Sequence, residues 1–87
     1  MVETTAKIEN DCKIIELMFK NSKYYDVSIE GYAGIRIKLK SANVDFFILF
    51  EEIRIVVFMS SGNVQIRMKS GAYIYINQTI EMIKAGL

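Results

Sequence analysis

The stretch Val44–Met59 reads VDFFILFEEIRIVVFM, two strand-length apolar runs separated by Glu51-Glu52. A strand with one wet face alternates apolar and polar residues, whereas a strand covered on both faces reads as continuous hydrophobe. The two runs are therefore expected at the centre of a sheet, or on a face that another subunit covers. Val44, Phe46, Ile48 and Phe50 point one way, with Phe47 and Leu49 the other. Ile53, Ile55, Val57 and Met59 share a face, with Val56 and Phe58 opposite. Their β-branched and aromatic content favours strand over helix. Glu51-Glu52 lacks the Gly or Asn of a tight hairpin, so the connection is a short helical turn, a bulge or one long bent strand.

Upstream, Ile8, Cys12, Ile15 and Phe19 recur at four, three and four residues. That spacing makes one apolar stripe, broadened by Ile14 and Met18, on a helix from about Thr5 to Asn21. Glu3, Thr4 and Thr5 supply capping and first-turn chemistry. Tyr25, Val27 and Ile29 then alternate with Asp26, Ser28 and Glu30, and Ile35, Ile37 and Leu39 with Arg36, Lys38 and Lys40. A three-residue loop, Tyr32-Ala33-Gly34, with Gly34 left-handed, keeps both apolar sets on one face. It sets Glu30 opposite Arg36, Ser28 opposite Lys38 and Asp26 opposite Lys40.

Downstream, Ser60-Ser61-Gly62-Asn63 is a turn signal. Val64, Ile66 and Met68 alternate with Gln65, Arg67 and Lys69, and after Ser70-Gly71-Ala72 the residues Ile74 and Ile76 alternate with Tyr73 and Tyr75. Asn77 is placed to cap a short C-terminal helix that turns Ile80, Ile83 and Leu87 inward, with Gly86 as its stop. The expected fold is α+β: an N-terminal helix, one antiparallel sheet of about five or six strands, and a short C-terminal helix.

With 87 residues, no proline and no linker-like stretch, residues 1–87 read as a single domain. The 52% hydrophobic content supplies a core without metal or disulfide staples. A lone cysteine, an N-terminus with no apolar signal segment and no run long enough to span a bilayer indicate a cytoplasmic protein without membrane contact. The net charge of +1 gives no general attraction to nucleic acid or anionic lipid.

Histidine is absent, which removes the commonest general base and metal ligand. Cys12 lies in the helix stripe and reads as a small buried side chain rather than a nucleophile. Asp45, Glu51 and Glu52 read as solvated charges that discourage aggregation. Phosphate-binding glycine loops, metal-ligand spacings and nucleophile elbows are missing. The chain is expected to be no enzyme and to carry no cofactor or metal. Double-stranded-RNA-binding domains share the expected element order, but their histidine-bearing loop and lysine cluster have no counterpart here.

Two helices, one of them short, cannot bury both faces of Val44–Met59. Phe47, Leu49, Val56 and Phe58 are accordingly expected at a partner or dimer interface. A homodimer is expected, with closure of the sheet into a small barrel as the alternative. The function indicated is a small binding protein acting through protein–protein contact with an unknown protein partner. Size and an Ile/Lys/Asn-rich composition suit a regulator or inhibitor of phage or mobile-element, anti-defence type. The alternative is single-stranded nucleic-acid binding. The expected Ser70-Gly71-Ala72 loop would set Lys69 beside Tyr73 and Arg67 beside Tyr75, so that cations track phosphates and rings stack on bases.

Overall fold

The computed structural model describes residues 2–87. A helix α1 (Thr5–Met18) is followed by β1 (Tyr25–Glu30), β2 (Gly34–Leu39) and β3 (Val44–Leu49). A 3-10 turn (Phe50–Glu52) leads into β4 (Ile53–Phe58), and a second (Ser60–Gly62) into β5 (Asn63–Met68), β6 (Tyr73–Asn77) and β7 (Ile83–Gly86). The fold is α+β with two antiparallel sheets, one in the order β1-β2-β3 and the other β4-β5-β6-β7.

The helix begins where its chemistry says it should. The Thr4 side chain accepts from the Lys7 N–H at 3.2 Å, filling one of the free donors of the first turn. It ends earlier than Asn21, at Met18, whose carbonyl accepts from the Gln78 side-chain amide at 3.0 Å. Ile8, Cys12, Ile15 and Phe19 are all buried as the stripe requires, while Ile14 is 40% exposed and lies off it. The stripe meets Tyr25, Ile35, Ile37 and Ile48 of the first sheet and Ile53, Val56, Val64, Ile66, Ile74 and Ile76 of the second in one cluster. Phe19 packs edge-on against Tyr25, with ring centroids 5.5 Å apart.

Several expectations are corrected. Among the described residues there are seven strands in two sheets, and no C-terminal helix. The Asn77 side chain accepts from the Thr79 N–H at 2.8 Å and closes a local turn instead of opening a helix. The chain then returns as β7, with Ile83 opposite Ile76 and Ala85 opposite Ile74. Ile80 and Leu87, assigned inward on a helix, are 47% and 96% exposed.

The two apolar runs are not central. β3 and β4 are each the edge of a sheet. The Glu51-Glu52 connection is the short helical turn, and a bulge follows it: the β4–β5 register shifts between Ile53 and Ile55. The extra residue reverses the alternation. Ile53 and Val56 are therefore both buried, while Ile55 and Val57 turn to the outer face with Arg67 and Gln65 opposite them.

The β1–β2 hairpin has the expected apolar face and a register two residues away. Its loop is Gly31-Tyr32-Ala33, with Gly31 at φ +58°, and Glu30 stands opposite Gly34, Ser28 opposite Arg36, Asp26 opposite Lys38. Gly34 lies within β2, where a Cβ would be 2.2 Å from the Ile48 carbonyl oxygen, so only glycine fits. Arg36–Glu30 and Lys40–Asp26 still pair, diagonally, at 3.0 and 3.8 Å.

Candidate interaction face on the second sheet

Strand alternation sends Ile55 and Val57 of β4, Gln65 and Arg67 of β5, Tyr73 and Tyr75 of β6 and Lys84 and Gly86 of β7 to the outer face of the four-stranded sheet. The register sets Ile55, Arg67, Tyr73 and Gly86 in one cross-strand row and Val57, Gln65, Tyr75 and Lys84 in the next. Gly86 fits this face closely, because a Cβ there would lie 3.0 Å from the Tyr73 ring. Met59, Gln65, Tyr73, Tyr75, Met82 and Lys84 line a shallow depression of about 310 Å³. Two tyrosine rings and two methionines line it together with one amide and one ammonium group.

Charge divides the molecule in the same way. The ion pairs among the described residues are Lys7–Asp11, Lys13–Glu9, Arg36–Glu30, Arg36–Asp45 and Lys40–Asp26, all within the helix and the first sheet. From Ile53 onward the only acid is Glu81, whose carboxylate bonds the Ser41 hydroxyl across the molecule. Arg54, Arg67, Lys69 and Lys84 have no acidic partner among the described residues. In the basic stripe Arg36 and Lys40 are paired with acids and Lys38, among the described residues, is not, with Arg36 held over the Phe47 ring at 5.3 Å from its centroid.

Of the residues assigned to nucleic-acid binding, Arg67, Tyr73 and Tyr75 share this face. Arg67 stands opposite Tyr73 and Gln65 opposite Tyr75, again two residues from the expected register. Lys69 leaves the sheet: it lies exposed in the β5–β6 turn, its N–H donating to the Glu52 carbonyl at 2.9 Å. The four residues assigned to a dimer interface do not form one surface. Val56, at 7% exposure, belongs to the core because the bulge turns it inward. Phe58 is 42% exposed at the end of β4, opposite Val64, whereas Phe47 and Leu49 lie on the outer face of the other sheet. The sequence reading missed Met82 and Lys84, since a helix was expected there. The alternation of Ile83 and Ala85 was the signal for a strand.

The fully buried Cys12 is unsuited to nucleophilic work, because burial pushes its thiol up to about 12. No group of His, Cys, Asp and Glu that could hold a metal ion occurs among the described residues, and no helix is long and apolar enough to cross a membrane. No protein-family model, no curated protein and no solved structure matches the chain.

Proposed function

We propose that this chain is a small non-catalytic binding protein that occupies a partner protein's surface through the outer face of β4–β7, as a regulator or inhibitor would. The observation that carries the reading is the composition of that face: Ile55, Val57, Met59, Tyr73, Tyr75 and Met82 beside Arg67 and Lys84, with no carboxylate in either row. Interface cores are enriched in Tyr, Met and Arg and depleted in Asp, Glu and Lys. The complementary partner presents apolar side chains ringed by acids.

A second reading, single-stranded nucleic-acid binding, draws on the same unpaired cations beside Tyr73 and Tyr75. It is the weaker one. The rings are half-buried in the sheet, and one arginine and one lysine in the two rows are few for tracking a backbone.

Immobilised wild-type chain is compared with the Arg67→Glu/Tyr75→Ala double variant on nuclease-treated extract, and the captured protein is then purified and titrated directly. Binding to wild type and not to the variant supports the first reading; equal binding to both removes this face from it. Titration with short labelled single strands at low salt separates the second reading, and a strongly salt-dependent complex there would displace the first.

A further inference from the structure

An exposed strand edge is a template for pairing with another chain, and folded proteins block such edges or use them. Three of the four edges here are blocked. On β1, the Ile29 N–H donates to the Glu16 carboxylate at 2.8 Å and the Tyr25 N–H to the Ser22 hydroxyl at 3.1 Å. On β4, the bulge bends the strand and the Arg54 carbonyl accepts from the Glu3 N–H at 2.9 Å. β7 is only four residues long.

β3 is different. It is six residues long, pairs with β2 in unbroken register, and contains no lysine or proline. The Phe50 N–H donates to the Ala33 carbonyl at 2.9 Å. This fixes the phase of the ladder: Phe46 and Ile48 bond inward to β2, while Asp45, Phe47 and Leu49 aim their N–H and C=O groups away from it. No other described segment bonds these groups. Phe47 is 43% exposed beside them, and Val44, Phe46 and Leu49 are only half-buried.

We propose that this edge pairs antiparallel, about a two-fold axis, with β3 of a second copy of the chain. A two-fold contact must be self-complementary, and this one is. Overlap of Val44–Ile48 with the free groups facing sets Asp45 of each copy beside Phe47 of the other. On the inner side Phe46 meets Phe46 of the second copy, and Val44 meets its Ile48. The two Asp45 carboxylates that this brings to one face are each held by an arginine of their own chain. The Arg36 guanidinium already lies over Phe47 and within 2.9 Å of its own Asp45 carboxylate. The Asp45 arriving from the second copy comes to the other side of the same ring, away from a guanidinium that Glu30 and its own Asp45 already pair. Two three-stranded sheets become one of six strands, and the Val44–Leu49 run is covered at its open side.

Sedimentation equilibrium of the wild-type chain is expected to give a monomer–dimer equilibrium. Phe47→Pro is the deciding variant, because the lost N–H points outward and takes no part in the β2 ladder. It is expected to be monomeric with unchanged circular dichroism. Should it misfold, amide exchange on the wild type decides instead: the N–H groups of Asp45, Phe47 and Leu49 exchange roughly tenfold more slowly at high than at low protein concentration. Tyr75→Ala, on the proposed partner face, leaves the dimer intact, so failure of one proposal is distinguishable from failure of the other. A wild-type chain that stays monomeric at the highest concentration, a Phe47→Pro dimer, or edge amides indifferent to concentration overturns the pairing.

Discussion

The hydroxyl of Tyr25, on the first strand of one sheet, is held by the backbone of Met82, on the approach to the last strand of the other. It lies 2.6 Å from the Met82 carbonyl oxygen and 2.5 Å from the Met82 nitrogen, with the Ile80 carbonyl oxygen at 2.7 Å. The hydroxyl has one proton to donate to the carbonyls and accepts from the Met82 N–H. The ring itself is buried against Phe19. This single side chain therefore ties the turn before β7 to the first sheet. Tyr25→Phe keeps the ring and strands the Met82 N–H, a loss of about 1–3 kcal/mol. A chain of this size then melts about 4–8 °C lower per kcal/mol. Thermal unfolding by circular dichroism checks it, and an unchanged midpoint would show the tie to be ornamental.

Alkaline pH should weaken the fold through Cys12 first. The folded state raises its thiol from 9.0 to about 12, chiefly by burial and secondarily by the charge of Asp11. A raised folded pKa means that the native state holds its proton more tightly than the unfolded chain. The associated stability is complete below pH 9 and drains away as pH climbs through about 12. Burial also raises Tyr25 from its usual 10.0, so it joins the same limb at higher pH. Urea midpoints measured from about pH 8 to about pH 11 should fall for the wild type and fall less for Cys12→Ala. Superimposable profiles for the two proteins would mean that the thiol is not the titrating group.

What the sequence could reveal depended on which physical signal was local. Alternation is a local property, so the inward set Tyr25, Val27, Ile29, Ile35 and Ile37 was readable. A slip of two residues leaves that set unchanged, so the hairpin register was not readable from it. Gly34 is instead a strand residue whose close contact is with Ile48, on a strand whose neighbour could not be known beforehand. The β5–β6 hairpin slipped for the same reason, which moved Lys69 off the face and set Arg67 against Tyr73. The bulge after Ile53 is invisible in a run where every residue but Arg54 is apolar. The C-terminal segment was ambiguous because Ile80, Ile83 and Leu87 fit a helix while Ile83 and Ala85 fit a strand. Pairing with β6 settles it, and pairing is a tertiary fact. The continuous hydrophobe of β3 was read as burial on both faces, yet it sits at an edge, where free backbone groups rather than a second covering layer are its distinguishing property.

Gly34 and Gly71 make a discriminating pair. Gly34 has no left-handed backbone; its constraint is space, since any Cβ would press on the Ile48 carbonyl at 2.2 Å. Gly71 has φ +98° in the β5–β6 turn with open space around it. Gly34→Ala forces β2 and β3 apart and should cost about 2–3 kcal/mol. Gly71→Ala incurs only backbone strain, about 1–2 kcal/mol. Because β3 carries the proposed pairing edge, Gly34→Ala should also weaken association, whereas Gly71→Ala should leave it alone. Chemical denaturation with sedimentation on both variants checks the order; equal losses would place the constraint at Gly34 elsewhere than at Ile48.

Ile66 and Arg67 are neighbours in β5 with opposite consequences. Ile66 is fully buried between Val56 and Ile74, and Arg67 stands exposed between Ile55 and Tyr73 on the outer face. Ile66→Ala leaves a cavity under both sheets and should cost about 2–5 kcal/mol. Arg67→Ala removes a side chain that bonds only Gln65, at 3.0 Å, and should change stability by no more than about 0.5 kcal/mol. Its effect should fall on partner binding instead, where an arginine beside a tyrosine on an apolar face is a hot-spot position worth about 2 kcal/mol or more. Denaturation and direct titration of the same two variants separate the quantities. If Arg67→Ala unfolds the chain as readily as Ile66→Ala does, the outer face is part of the scaffold and not a surface kept for a partner.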